Sequence, residues 1–167
     1  MSTSSNTITI KPLNAQAFKN YGDVIETEGA HSFKINNGLC TRYHDLAKIE
    51  VSGPKARPLI SLVKSMPYTL PLTLTMVERH PLGSQAFVPL SNKPFLIIVC
   101  DDHDGVPGTP CAFVSSNQQG INIAQNVWHG VLTPLDGMSD FLVIDRGGEG
   151  NNLEEYFFEE PFILVAR

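Results

Sequence analysis

Twelve prolines and 13 glycines are spread through this 167-residue chain and cut it into short pieces. Proline removes the N–H that a helix interior or central strand needs, and glycine weakens both elements. Long helices are therefore ruled out, and the pieces that remain read mainly as strands. Thr7 to Ile10 alternates with period two, as does Leu72 to Met76, and Phe95 to Cys100 is a continuous apolar run fit for burial on both faces. Ala112 to Val114, Ile121 to Ile123, Val127 to Thr133 and Asp140 to Ile144 follow, with turn residues between them. One short N-terminal helix is expected. Asn14 caps it, Leu13 packs on Phe18 as a hydrophobic staple, and Gly22 closes it in the left-handed conformation after Tyr21. The expected fold is a mainly β barrel or jelly-roll with a short N-terminal helix, in one domain over residues 1–167.

Charge narrows the partners. The formal net charge is -5, and 12 Lys plus Arg are scattered rather than clustered. Nucleic acid and anionic membrane surfaces both require a basic face, so neither is expected. Three cysteines, Cys40, Cys100 and Cys111, cannot complete a disulfide framework. Buried free thiols suit a reducing compartment. Met1 to Thr7 carries neither a basic nor an apolar leader segment, and Phe95 to Cys100 is too short to span a bilayer. A cytoplasmic protein is the expectation.

The chemistry concentrates in Leu72 to Leu90. On a regular strand Leu72, Leu74, Met76, Glu78 and His80 share one face, and Thr73, Thr75, Val77 and Arg79 the other. The apolar members point that first face inward, which puts a carboxylate and an imidazole roughly 7 Å apart at the end of a core-facing row. A buried carboxylate is costly unless paired, hydrogen-bonded or protonated, and catalytic sites use such placements. The competing reading is that Glu78 reaches water and His80 merely ends the strand before the Pro81-Leu82-Gly83 turn. Gln85 follows across that turn, and His129 lies on a later strand with Val127, Val131 and Thr133 on its face. The set is similar to the cupin pattern of His-x-His, a nearby Glu and a distant His. Here it reads Glu78, His80, Gln85 and His129, with two residue types changed. Two imidazoles, a carboxylate and an amide make a weaker metal site than three imidazoles with a carboxylate.

A closer resemblance rests on several blocks in order. They are residues 17–25 (AFKNYGDVI), 35–38 (INNG), 42–45 (RYHD), 78–83 (ERHPLG), 126–129 (NVWH) and 145–148 (DRGG). Together they resemble the ureidoglycolate lyase family from about Leu13 to Gly148, while the Glu- and Phe-rich tail matches less distinctly. The resemblance implies a cupin-like barrel and a homodimer. It implies cleavage of (S)-ureidoglycolate to glyoxylate and urea, late in allantoin catabolism, and a nickel or similar divalent ion sometimes bound.

Such a reaction needs a base for the substrate hydroxyl and an acid for the departing nitrogen. His80 or Glu78 is expected as base and His129 as acid, with Gln85 on the ureido group. If a metal binds, Glu78, His80, Gln85 and His129 would hold it. The substrate carboxylate calls for a guanidinium. Arg42, beside Tyr43, is the first candidate, ahead of Arg79 and of Arg146, which is expected to pair with Asp145. Asp101 to Gly105 reads as a solvated hairpin rather than a cation loop. Trp128 should face away from His129, Gly83 reads as turn geometry, and His31, His44 and His103 carry no assigned chemistry. Two rival functions share these residues: a metal-dependent cupin oxygenase or isomerase acting on another small acid, and a non-catalytic small-acid sensor.

Overall fold

The computed structural model describes residues 6–116 and 118–167, so the polar segment read from Met1 onward lies, up to Ser5, outside the described residues. Two sheets dominate. The first runs in the order β1 (Thr7–Thr9), β17 (Glu154–Val165), β7 (Leu72–Arg79), β14 (Trp128–His129), β9 (Phe95–Cys100), β12 (Cys111–Val114) and β2 (Lys11–Pro12). β15 (Thr133–Pro134) also pairs with β9. The second sheet is β3 (Gly22–Ile25), β13 (Gly120–Ile123), β8 (Gln85–Pro89), β16 (Ser139–Gly147) and β6 (Arg57–Ser65). β1 and β2 are separated by Ile10 alone, yet they pair with β17 and β12 near opposite ends of the first sheet. The N-terminal segment thus curls that sheet nearly closed, which is the cupin-like, barrel-forming architecture expected of a chain with so many short strands.

Each face of the first sheet has its own core. Toward the second sheet lie Phe87, Phe95, Ile97, Val99, Phe141 and Val143. On the other face lie Ile10, Leu74, Leu96, Ile98, Trp128 and Leu164. β9 supplies alternate residues to both, and all six of its side chains are buried. Its unbroken apolar run is explained by this double burial.

The helix is real but brief. α1 covers Ala15–Phe18, with the Asn14 side chain accepting from the Ala17 N–H at 2.9 Å. Leu13 and Phe18 are both buried in the inter-sheet core. Gly22 does not close it in the left-handed region as expected. Its φ is +148°, it begins β3, and a Cβ there would lie 1.9 Å from the Asn122 carbonyl oxygen. The glycine is needed for close approach of β3 to β13 rather than for a helix cap.

The face assignment along β7 also needs correction. Leu72 and Leu74 pack with Val77 in the core away from the second sheet, so the row does not run unbroken from Leu72 to His80. Leu72 and Leu74 oppose Leu164 and Phe162, while Met76 and Val77 oppose Phe157 and Tyr156. The pairing with β17 is irregular at the same place, between Phe157 and Phe162. Glu78, next to Val77, faces the second sheet.

Two hairpins stand apart. β4 (Ser32–Ile35) and β5 (Cys40–Tyr43) form an exposed pair, so Cys40 is exposed rather than buried; Cys100 is buried and Cys111 partly so, all three as free thiols. β10 (Asp102–His103) and β11 (Val106–Pro107) flank Asp104 and Gly105, both at positive φ, as the Asp-Gly turn signal predicts. No helix among the described residues is long and apolar enough to cross a membrane.

The clash at Gly22 sets an expectation. Gly22→Ala should destabilise the protein by about 3 kcal/mol or more, or prevent accumulation. Gly29→Ala, at φ +70° with open space around it, should cost only about 1 kcal/mol. Urea unfolding of the two variants checks the difference.

Candidate active site

His129 sits directly opposite Glu78 in the β14–β7 pairing and opposite Val99 in the β14–β9 pairing. Val99 in turn opposes Cys111. Directly paired residues share a face, so Glu78, His129, Val99 and Cys111 form one row toward the second sheet. On that sheet the alternation of β8 puts Gln85 on the same face as Phe87, and the alternation of β16 puts Asp145 on the same face as Val143. Gln85 and Asp145 are therefore inter-sheet residues.

They lie at the same end as the histidines. Phe95 stacks edge-on against Phe141 at one end of the core. At the other, the Asn126 N–H donates to the His80 carbonyl at 2.9 Å, and Gln125 Nε2 donates to the Pro81 carbonyl at 2.7 Å. The segment after β13 is thereby tied to the end of β7. One mouth of the inter-sheet space carries Glu78, His80, His129, Gln85 and Asp145.

The first three converge closely. One ligand atom each of Glu78, His80 and His129 lies within 4.8 Å of the others. His80 Nε2 is 3.9 Å from Glu78 Oε1, and the two imidazole centroids are 5.2 Å apart. His80 Nδ1 meets the Asn152 carbonyl at 2.8 Å, and His129 Nδ1 meets the Gly130 carbonyl at 2.9 Å. A carbonyl only accepts, so both Nδ1 atoms carry hydrogen, and each neutral ring is left with a lone pair on Nε2. Both Nε2 atoms are buried without a partner. Leaving them so costs roughly 1–3 kcal/mol apiece, which a site built only for stability would avoid.

Burial also sets the proton affinities. The Glu78 carboxyl is held above the ordinary carboxylate range chiefly by burial, with the Glu155 charge adding to the rise and His80 opposing it. The imidazole of His129, 1% exposed, is lowered from 6.5 to about 4 by burial. The Gly130 hydrogen bond opposes this shift and His80 adds to it. A neutral His129 offers a lone pair on Nε2.

The donor set fits a divalent cation. Two unpartnered imidazole nitrogens and a carboxylate at these separations are borderline ligands suited to nickel or zinc, with positions left open for substrate. Gln85 also faces this mouth. Its Nε2 points at Asp145 Oδ2, 3.4 Å away, and its Oε1 is buried and unpartnered.

Arg79 and Arg146 are committed elsewhere. Arg79 lies on the opposite face of β7, donating to Glu154 at 2.6 Å and Asp102 at 2.9 Å, with its guanidinium 4.3 Å over the Trp128 ring. Trp128 faces away from His129, as expected, and its Nε1 donates to Asp102 at 2.8 Å. Arg146 does not pair with Asp145. It is buried and donates to the carbonyls of Ser52, Pro54 and Glu149, a backbone staple that sequence could not show. Gly83 is another close-approach position: a Cβ there would lie 2.6 Å from the Arg146 Cβ. Arg42 and Tyr43 stand on exposed β5, and among the described residues neither bonds to Glu78, His80 or His129. His31 and His44 stack with Phe33 at the base of that hairpin, and His103 is exposed on β10.

A pH expectation follows from His129. The unfolded state takes up its proton near 6.5 but the folded state only near 4. The stability it contributes is complete above 6.5 and is lost as pH falls from there toward 4. The imidazole signal of His129 should titrate near 4 in NMR spectra. The acid loss of stability over that window should be smaller in His129→Asn.

Comparison with known proteins places this geometry. The family model described as Ureidoglycolate lyase matches residues 5–165. A protein of Rhizobium meliloti (strain 1021) named "Ureidoglycolate lyase 2" is 62% identical over 153 residues, 92% of this chain and 94% of that one. "Ureidoglycolate lyase" of Chelativorans sp. (strain BNC1) is 60% identical over 155 residues, covering 93% and 94%. That of Brucella melitensis biotype 2 (strain ATCC 23457) is 48% identical over 154 residues, covering 92% and 91%. With its nearly closed β architecture and a match along almost its whole length, the chain belongs to the ureidoglycolate lyase family.

Proposed function

We propose that this protein cleaves (S)-ureidoglycolate to glyoxylate and urea, with Glu78, His80 and His129 as its reacting groups. The observation that carries the reading is the pair of buried, unpartnered Nε2 atoms facing Glu78. The family relationship supplies the substrate.

The substrate carries a carboxylate, a hydroxyl and a ureido nitrogen on one carbon. Release of urea requires the hydroxyl proton to leave as the carbonyl forms and a proton to reach the departing nitrogen. The Nε2 lone pair of His129, with that of His80 beside it, takes the hydroxyl proton. Glu78, whose proton affinity is raised by burial, supplies the proton to the nitrogen. When a divalent ion is bound, Glu78, His80 and His129 would hold it through these same atoms in place of the proton transfers, and it would polarise the hydroxyl oxygen. The substrate carboxylate takes a guanidinium, and Arg42 carries no ion pair among the described residues. Tyr43, beside it, would add a hydroxyl.

The protein acts as a homodimer. Support comes from the outer face of the second sheet, where Ile60 and Leu62 are 75% and 72% exposed. They oppose Ile144 and Leu142 on the same face, forming an apolar surface that a second copy would cover. The free thiol on exposed Cys40 suits a reducing cytoplasm.

Incubating chelator-treated protein with (S)-ureidoglycolate should release urea and glyoxylate in equal amounts, with no ammonia. His80→Asn and His129→Asn should each lower kcat by about 100-fold or more while circular dichroism is unchanged. Ammonia in place of urea would identify a hydrolase, and tight binding without turnover a sensor; either result refutes the proposal. Leu62→Glu should shift the sedimentation coefficient from dimer to monomer.

A further inference from the structure

Gln85 occupies the place where the cupin pattern has a glutamate, and the residue that explains an amide there is Asp145. The two lie on adjacent strands of the second sheet, β8 and β16, and both face the inter-sheet mouth. Gln85 Nε2 lies 3.4 Å from Asp145 Oδ2. An ionised carboxylate only accepts hydrogen bonds, so it fixes which end of the amide faces it. The N–H end turns to Asp145, and the oxygen is left over. That oxygen, Gln85 Oε1, is buried and has no hydrogen-bond partner. Buried acceptors are nearly always satisfied, and among the described residues none donates to this one. A glutamate at the same place would set two carboxylates side by side and lose the fixed orientation.

Resting on the reading of the substrate above, we propose that Asp145 is a positioning residue for specificity: it holds the Gln85 amide so that Oε1 is an acceptor for the N–H groups of a ureido substrate. Glyoxylate and similar small acids offer no such donor. A site with a committed buried acceptor discriminates against ligands that leave it unpaired. Sequence alternation alone points to Asp145, because Phe141, Val143 and Asp145 stand two apart on β16 and the first two are core residues.

The test uses two probes that are not cleaved. Ureidoacetate has the ureido group and carboxylate without the reacting hydroxyl, and glyoxylate has the carboxylate alone. Dissociation constants are measured by calorimetry for the wild type, Asp145→Asn, Gln85→Met and the double variant, with thermal melts to show that each is folded. Gln85→Met should weaken ureidoacetate by about tenfold and leave glyoxylate within about twofold. Asp145→Asn should weaken ureidoacetate by about threefold or more, and the double variant should be no worse than Gln85→Met. Equal weakening of both probes, or of neither, overturns the proposal. So does a wild type that binds ureidoacetate no better than glyoxylate. Loss of Ni²⁺ binding in Gln85→Met would make Oε1 a metal ligand and overturn it as well. Turnover of (S)-ureidoglycolate by the wild type, measured alongside, reports separately on the function itself.

Discussion

The pairing of His129 with Glu78 is the constraint on which the site depends. β14 is only two residues long, and a slip of one residue would send His129 to the other core and bring Trp128 into its place. What prevents the slip lies on the far face. Arg79 is bonded to Glu154 of β17 and Asp102 of β10 and lies over the Trp128 ring, while Trp128 itself donates to Asp102. These contacts join the immediate neighbours of Glu78 and His129. The polar network on one face therefore fixes the register that aligns Glu78 and His129 on the other. Asp102 and Glu154 are partly exposed, so the network acts through geometry more than through Coulomb energy.

The same row shows how an apolar core ends in chemistry. Phe95, Ile97 and Val99 carry the core along β9, and at Val99 the row changes from packing to the His129–Glu78 pair. Beyond Glu78 the pairing continues to Glu155, which is exposed. The site thus lies between a dry core and an open edge. Burial keeps His129 neutral and raises Glu78, while the Glu155 charge strengthens the second effect. Both imidazole Nε2 atoms are left without a hydrogen bond among the described residues.

Much of this was legible in the sequence where local rules and tertiary context agree. The run Phe95 to Cys100 announced a strand buried on both faces, the Asp104-Gly105 step announced its turn, and Asn14 announced its cap. Glu78 and His80 were placed together correctly, but for a reason that fails. Strict alternation from Leu72 breaks between Leu74 and Val77, beside the irregular pairing with β17, and it is this break that turns Glu78 toward the second sheet. β6 and β17 escaped notice because proline and mixed apolar positions blur their period, although β17 spans 12 residues. The staple made by Arg146 and the close approach at Gly22 are long-range backbone contacts, for which sequence carries no local signal. The depressed pKa of His129 is likewise a product of burial, which residue type alone does not show.

The central claim is that His80 and His129 both hold their hydrogen on Nδ1 and present a free Nε2 to the ligand. Long-range proton–nitrogen NMR spectra of the two imidazoles, recorded at neutral pH with and without ureidoacetate, test it most directly. Both rings should show the Nδ1–H tautomer, and both Nε2 resonances should move when the ligand binds. Hydrogen on Nε2 in either ring of the free protein, or Nε2 signals that ignore the ligand, would contradict the account.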